Sequence, residues 1–283
     1  MEKVKVLYVS HDITPFMQES QIGLISRHLP QGVQERGREI RTFMPRFGNI
    51  NERRNQLHEV IRLSGMNLII NDNDHPLIIK VASIQLARMQ VYFIDNEDYF
   101  DRKFVFRDKS GKFFKDNDER AIFFARGVLE TVKKLGWPPD IIHCHGWMGS
   151  LVPLYVKTAF RDNPVYSDAK IIFSFYDDDF EEMLNKDFAT KIKLPGITLR
   201  HLKHYKKPSY VNLMKAAIDF SDALIMGSEQ VHPEVYQYML KSDKPILPFQ
   251  TGDDYIDVYN EFYNELLVEE EAEEASGRNN KKI

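Results

Sequence analysis

Four short segments gather the side chains able to do chemistry, and three of them directly follow apolar, β-branched runs. The first is Ser10-His11-Asp12-Ile13-Thr14-Pro15-Phe16. The second, Asp140-Ile141-Ile142-His143-Cys144-His145-Gly146-Trp147, carries two histidines at strand spacing, so both point to one face and could bind a metal if a third ligand came from elsewhere. Hydrogen-bonded histidines at a strand end are the simpler reading, and no metal is assigned. The third, Phe175-Tyr176-Asp177-Asp178-Asp179-Phe180-Glu181-Glu182, offers Asp-x-Asp pairs. Such carboxylates either hold a divalent cation on a sugar nucleotide or cap a following helix and complement its dipole, the reading preferred here. The fourth runs from Lys191 to Lys207, with Lys193, Arg200, Lys203 and Lys206 between and no acid, either an anion site or, as preferred, a solvated segment.

The elements that must position these groups alternate between two periods. Val4 to Ser10, Ile40 to Pro45, Gln90 to Asp95, Asp140 to Cys144, Lys170 to Tyr176 and Ala223 to Gly227 read as buried strands. Between them, Ile22, Ile25, Leu29 and Val33 form one helical stripe, and Ala121, Ala125, Val128, Val132 and Leu135 form another. The expected fold is therefore α/β, a doubly wound, mainly parallel, Rossmann-like sheet. Gly65 to Asn71 and Pro76 to Ser83, joined by Asn71-Asp72-Asn73-Asp74, predict an inserted β-hairpin. Asp253 to Leu267 predicts a helix docked through Ile256, Tyr259, Phe262, Tyr263 and Leu266. The expected organisation is one α/β domain over 1–250, a docking helix over 251–267, and an acidic and polar disordered tail over 268–283. In such a sheet, ligands gather outside the carboxyl ends of the strands, where the first three segments fall. Gln18-Glu19-Ser20-Gln21-Ile22-Gly23 has one glycine where a dinucleotide fingerprint needs several, so a conventional Rossmann cofactor is disfavoured; no cofactor is expected.

Composition narrows the function classes. With 283 residues, 43% hydrophobic and 12% aromatic, the chain can bury a sizeable core. A net charge of -4 supplies no broad positive field, so nucleic acid and anionic membrane surfaces are not expected partners. Cys144 is the sole cysteine, which excludes an intrachain disulfide and fits a reducing compartment. No apolar stretch reaches the roughly 18 to 20 residues of a membrane span. The opening residues lead into a strand pattern without an export signal, so a cytoplasmic location is expected.

Taken in order, the segments resemble the N-terminal catalytic domain of bacterial glycogen synthases and plant starch synthases. The resemblance is carried by Val6-Leu7-Tyr8-Val9-Ser10 to Pro15-Phe16, Leu29-Pro30, Gly37-Arg38-Glu39-Ile40-Arg41 to Met44-Pro45-Arg46-Phe47, and Val91-Tyr92-Phe93-Ile94-Asp95 with Tyr99-Phe100-Asp101-Arg102. It continues in Gly136-Trp137-Pro138-Pro139-Asp140 to His143-Cys144-His145-Gly146-Trp147, and in Lys215-Ala216-Ala217-Ile218 with Ser221-Asp222 to Ser228. It implies a two-domain Rossmann-like glycosyltransferase of which this chain carries the first domain, with an α-glucan and a sugar nucleotide as partners. Residues it places near substrate are Asp12, Gln18, Gly23, His145, Gly146 and Lys215, and Tyr176, Asp177 and His145 are candidates for catalysis.

The departures fall on those positions. Where the family has Lys-Thr-Gly-Gly-Leu-Ala-Asp, implied to approach the ADP-glucose phosphates, this chain has Gln18-Glu19-Ser20-Gln21-Ile22-Gly23-Leu24. The aspartate of His-Asp-Trp is Gly146, and the Ile-His-Asn turn implied to contact the donor sugar is Phe175-Tyr176-Asp177. The donor site is thus degenerate; the family's Ser-Glu, implied to lie beside the acceptor glucan, is represented by His11 and Asp12, so acceptor-side character survives better than donor-side character. With the family's second domain absent, departing phosphate charge lacks its neutralising wall, so the chain alone is expected to be a poor synthase. Three readings follow: a glucosyltransferase, with ADP-glucose or UDP-glucose as donor, completed by a protein partner on the missing-domain face; a non-catalytic glucan-binding or regulatory module; or, as the weakest, an unrelated activity on the same scaffold centred on Asp177-Asp178-Asp179.

Overall fold

A computed structural model describes residues 3–279. The chain alternates strands and helices from the start: β1 (Lys5–Ser10), α1 (Gln21–Glu35), β2 (Glu39–Pro45), then β3 (His58–Glu59), β4 (Met66–Ile70), β5 (Asn73–Ile84) and β6 (Met89–Asp95). A short α2 (Glu97–Phe100) and a long α3 (Asn117–Leu135) lead to β7 (Ile141–His145), α4 (Leu151–Lys157) and β8 (Lys170–Phe175). The remainder is α5 (Phe188–Lys191), α6 (Tyr210–Phe220), β9 (Ala223–Met226), α7 (Pro233–Leu240), β10 (Ile246–Leu247) and α8 (Tyr255–Asn279). The six expected strands are present within a residue or two of their anticipated bounds.

The strands form one sheet in the order β10-β9-β8-β7-β1-β2-β6-β5-β3, with β4 added on β5. Pairing is parallel from β10 to β6 and antiparallel around β5. The β4–β5 hairpin is the expected insertion, and its turn holds Asn71 and Asp72 at φ 51° and 61°, a conformation these short polar side chains tolerate. From β1 the chain passes to β2 on one side and β7 joins on the other, so the sheet's switch point lies between β1 and β7.

Alternate residues of the parallel strands face opposite layers. Leu7, Val9, Ile142, Cys144, Phe173 and Leu224 enter one core, with α3, α4, α6 and α7. Val6, Tyr8, Ile141, Ile172, Ala223 and Ile225 enter a second, covered by α1 and α8. Docking of α8 follows its predicted stripe: Tyr259, Phe262, Tyr263 and Leu266 are buried. Arg36 pairs with Asp257 at 2.5 Å, and Arg38 donates to Asn260 Oδ1 at 2.7 Å and Asn264 Oδ1 at 2.6 Å. The backbone of α8 stays helical to Asn279, past the expected end at Leu267, because the glutamate-rich run after it consists of good helix formers. Residues 280–283 of the expected tail lie outside the described residues. No helix among the described residues is long and apolar enough to cross a membrane.

Candidate functional site

The second layer turns polar toward the carboxyl ends of the strands. Ser10, His145 and Ser174 lie in register across β1, β7 and β8, one step beyond Tyr8, His143 and Ile172. Both nitrogens of His143 are engaged, Nδ1 with the Tyr263 hydroxyl and Nε2 with Ser174 Oγ, each at 2.7 Å. His145 Nδ1 meets the Tyr176 hydroxyl at 2.7 Å, while its Nε2 is buried with no partner in the protein. Burial lowers the His145 pKa to about 3, helped by His11, and lowers that of His11 to about 4, so both rings are neutral near pH 7. No group of three or more His, Cys, Asp or Glu able to hold a metal occurs among the described residues.

The loops after β1 and β7 meet at the switch point. Gly146 has φ +73° and ψ 171°, a region essentially reserved for glycine. A Cβ there would sit 2.7 Å from His11 Cε1 and 2.8 Å from Asp178 Oδ2. Asp178 therefore occupies the space that a side chain at 146 would need. Its Oδ2 accepts from the Trp147 backbone N–H at 2.9 Å, and its Oδ1 from the Tyr210 hydroxyl at 2.7 Å. Burial raises the Asp178 pKa to about 6 although both hydrogen bonds favour the anion.

On the other wall, Ser20 caps α1 by accepting from Gly23 N–H at 2.9 Å, and its hydroxyl donates to Asp12 Oδ2 at 2.5 Å. Gly23 lets the first turn of α1 lie against this loop, since a Cβ would meet Thr14 Oγ1 at 2.9 Å and Asp12 Oδ1 at 3.0 Å. Burial raises the Asp12 pKa, opposed by the Ser20 bond. The two walls enclose a cavity of about 250 Å³ lined by His11, Asp12, Ser20, Gln21, Ile22, Tyr176, Asp177 and Asp178. None of these lining residues comes from α8, which covers a sheet face and leaves this mouth open.

Arg120 supports the floor from behind. It is fully buried and donates to the carbonyls of Tyr99 at 2.7 Å and Val105 at 2.6 Å. That fixes the segment carrying Phe106, whose ring packs 5.4 Å from His11 and 4.9 Å from Trp147.

Of the residues singled out in the sequence, Asp12, Gly23, His145, Gly146, Tyr176 and Asp177 come together here. Gln18 is exposed in the loop before α1, and Lys215 is on α6, paired with Glu234 and 5.5 Å from the Tyr238 ring; neither lines the cavity. The lysine is taken up by the α6–α7 contact. The helix expected after Asp177-Asp178-Asp179 does not form, and the acids serve tertiary contacts instead: Asp178 as above, and Glu182 on Arg107 at 2.8 Å. Nor is the basic segment wholly solvated, since the largely covered Lys191 side chain pairs with Asp118 at 2.8 Å and Glu119 at 2.7 Å. Ser20 and Tyr210 were not singled out as site residues, and Asp178 was weighed as a cation ligand or helix cap, not as a wall of this cavity. A signal for Asp178 did exist, because the period-two series Ile172, Ser174, Tyr176 runs on to it past the strand end.

The model of the starch synthase catalytic domain family matches residues 5–243. A glycogen synthase of Chlorobium luteolum is 41% identical over 237 residues, 82% of this chain and 48% of that protein. A glycogen synthase of Pelodictyon phaeoclathratiforme is 39% identical over 242 residues, 83% of this chain and 49% of that protein. The catalytic domain of starch synthase IV from Arabidopsis thaliana, solved bound to ADP and acarbose, superposes with a TM-score of 0.72 at 17% identity, covering 89% of this chain and 52% of that one. The chain spans about half the length of the curated relatives it matches.

Proposed function

Because the chain belongs to the starch synthase catalytic domain family, we propose that it binds the end of an α-glucan in the switch-point cavity and acts as the acceptor wall of a glucosyltransferase. The observation that carries this reading is the lining itself: Asp12, Asp177 and Asp178 with neutral His11 and no cation. Carboxylates accept strongly from sugar hydroxyls, and three of them disfavour a phosphate. Asp12 Oδ1 and His11 Nδ1, buried without protein partners, add polar capacity of the kind a hydroxyl-rich ligand satisfies. Transfer itself needs a wall that neutralises the leaving diphosphate, supplied by a second domain or a partner chain at the open mouth.

Incorporation of labelled glucose from ADP-glucose or UDP-glucose into glycogen tests the catalytic half of this reading. The purified chain is expected to give none, and addition of cell extract to give incorporation that depends on the chain. Glucan binding with no incorporation in either case favours the second reading, a non-catalytic glucan-binding or regulatory module, for which Gln18 and Glu19 in place of a cation already speak.

Asp178 makes binding pH-dependent. The ionised carboxylate is the better acceptor, so maltoheptaose affinity falls as pH drops through about 6. With one proton linked, the loss between pH 7 and pH 5 reaches up to about tenfold, and Asp178→Asn flattens the profile. Stability of the unliganded chain has the opposite sign. Because the folded-state pKa is raised above the unfolded 3.8, Asp178's contribution is fully present below that value and is lost as pH rises through about 6. Calorimetry across pH 5 to 8 checks the first trend, and urea unfolding over the same range the second.

A further inference from the structure

The switch-point cavity does not end at Gln21. That side chain, whose Nε2 donates to the Gly227 carbonyl at 3.1 Å, also borders two further hollows. The first, of about 290 Å³, shares Gln21 and Asp177 with the cavity and reaches Phe249. The second, of about 220 Å³, shares Gln21 and Phe249 with the first and lies between α1 and the start of α8, walled by Leu24, His28, Tyr255 and Tyr259. The three adjoin at shared walls, Gln21 in all of them, Asp177 or Phe249 between neighbours, and pass from acidic at the strand ends to aromatic at α8. Phe249 and Tyr255 are half-buried, each with part of its surface open, and the Tyr255 ring stands edge-on to Tyr259 at 6.2 Å.

We propose that the aromatic hollow is a second sugar subsite, which holds an inner glucosyl unit of the same α-glucan whose end enters the acidic cavity. This inference rests on the glucan reading of that cavity. Such a chain is chemically complementary to the groove along one path. A pyranose ring has a rim of hydroxyls and an apolar C–H face, so it suits both a carboxylate-lined cavity and an aromatic wall with polar groups at its edge. A phosphate is repelled by Asp177 at the junction, and a purely apolar ligand gains nothing from the acidic end. The shared walls at Gln21 and Phe249 make one chain reaching both ends the occupant that uses every wall. It also gives α8 a role in binding, because Tyr255 and Tyr259 reach the groove only while that helix is docked.

Calorimetric titration with maltose, maltotriose and maltoheptaose, on the whole chain and on Phe249→Ala, Tyr255→Ala and Tyr255→Trp, tests this. The wild type is expected to gain about tenfold in affinity from maltose to maltoheptaose. Both alanine variants are expected to reduce that gain to less than about twofold, and Tyr255→Trp to keep it. Equal melting temperatures exclude misfolding as the cause. A gain that survives both alanine substitutions overturns the subsite while leaving the cavity reading intact. Absence of binding by sugars of every length removes both. Saturable binding of adenosine that Phe249→Ala abolishes, with the glucan series unaffected, overturns the proposal in favour of a nucleobase pocket.

Discussion

Gly146→Asp, which restores the residue found at this point in the family resembled, is expected to abolish glucan binding and to destabilise the chain. Backbone angles of φ +73° and ψ 171° cost a non-glycine residue about 1–3 kcal/mol. The new Cβ would also collide with His11 and with Asp178, at 2.7 and 2.8 Å, neither of which is a free end able to swing away. His11 is packed on Phe106, and Asp178 is held by the Trp147 N–H and the Tyr210 hydroxyl. The variant additionally sets two carboxylates against each other, a like-charge contact. The total loss expected is about 3 kcal/mol or more, read by urea unfolding. Gly146→Asp combined with Asp178→Gly should lose less than Gly146→Asp alone, because the Asp178 clash and the repulsion are removed while the His11 clash and the backbone strain remain, and a double-mutant cycle measures that coupling. If Gly146→Asp melts and binds maltoheptaose like the wild type, the exchange of side chains between 146 and 178 is not what shapes the cavity.

The second large effect is at Tyr263. Its ring is fully buried, its hydroxyl is 2.7 Å from His143 Nδ1 and 3.4 Å from the Tyr8 hydroxyl, and the Arg38 guanidinium lies 5.6 Å from its centre. Tyr263→Ala is expected to cost about 3–5 kcal/mol, since it opens a cavity and strands a buried imidazole nitrogen. Tyr263→Phe keeps the packing and is expected to cost about 1–3 kcal/mol from the hydroxyl alone. Because α8 also forms the aromatic end of the groove, the alanine variant should weaken maltoheptaose more than maltose. Unfolding curves and the same titrations separate the two consequences.

The parallel core was legible because its strands are continuous apolar runs, and α1, α3 and α8 were legible because their stripes recur at helical spacing. The hairpin was legible from Asn71 and Asp72, whose left-handed conformations the turn requires. The two-residue strands β3 and β10 were not, since His58–Glu59 and Ile246–Leu247 are too short to carry a period. The site divides in the same way. His145, Gly146 and Tyr176 lie on or just after strands, where facing and register follow from alternation. Asp178 was read as a helix cap because acids after a strand commonly play that part, and only the tertiary fold shows its partners to be Trp147 and Tyr210. Lys215 was placed near substrate by resemblance, yet Glu234 is its partner, a contact between two helices that local sequence does not encode.

The switch-point cavity is proposed to receive a neutral glucan rather than a nucleotide phosphate. Calorimetric titration of the purified chain at pH 7 with maltoheptaose and, separately, with ADP tests it most directly. Saturable maltoheptaose binding that Asp12→Asn and Asp178→Asn weaken, with no heat from ADP, is the predicted result. Saturable ADP binding without any response to maltoheptaose would contradict it.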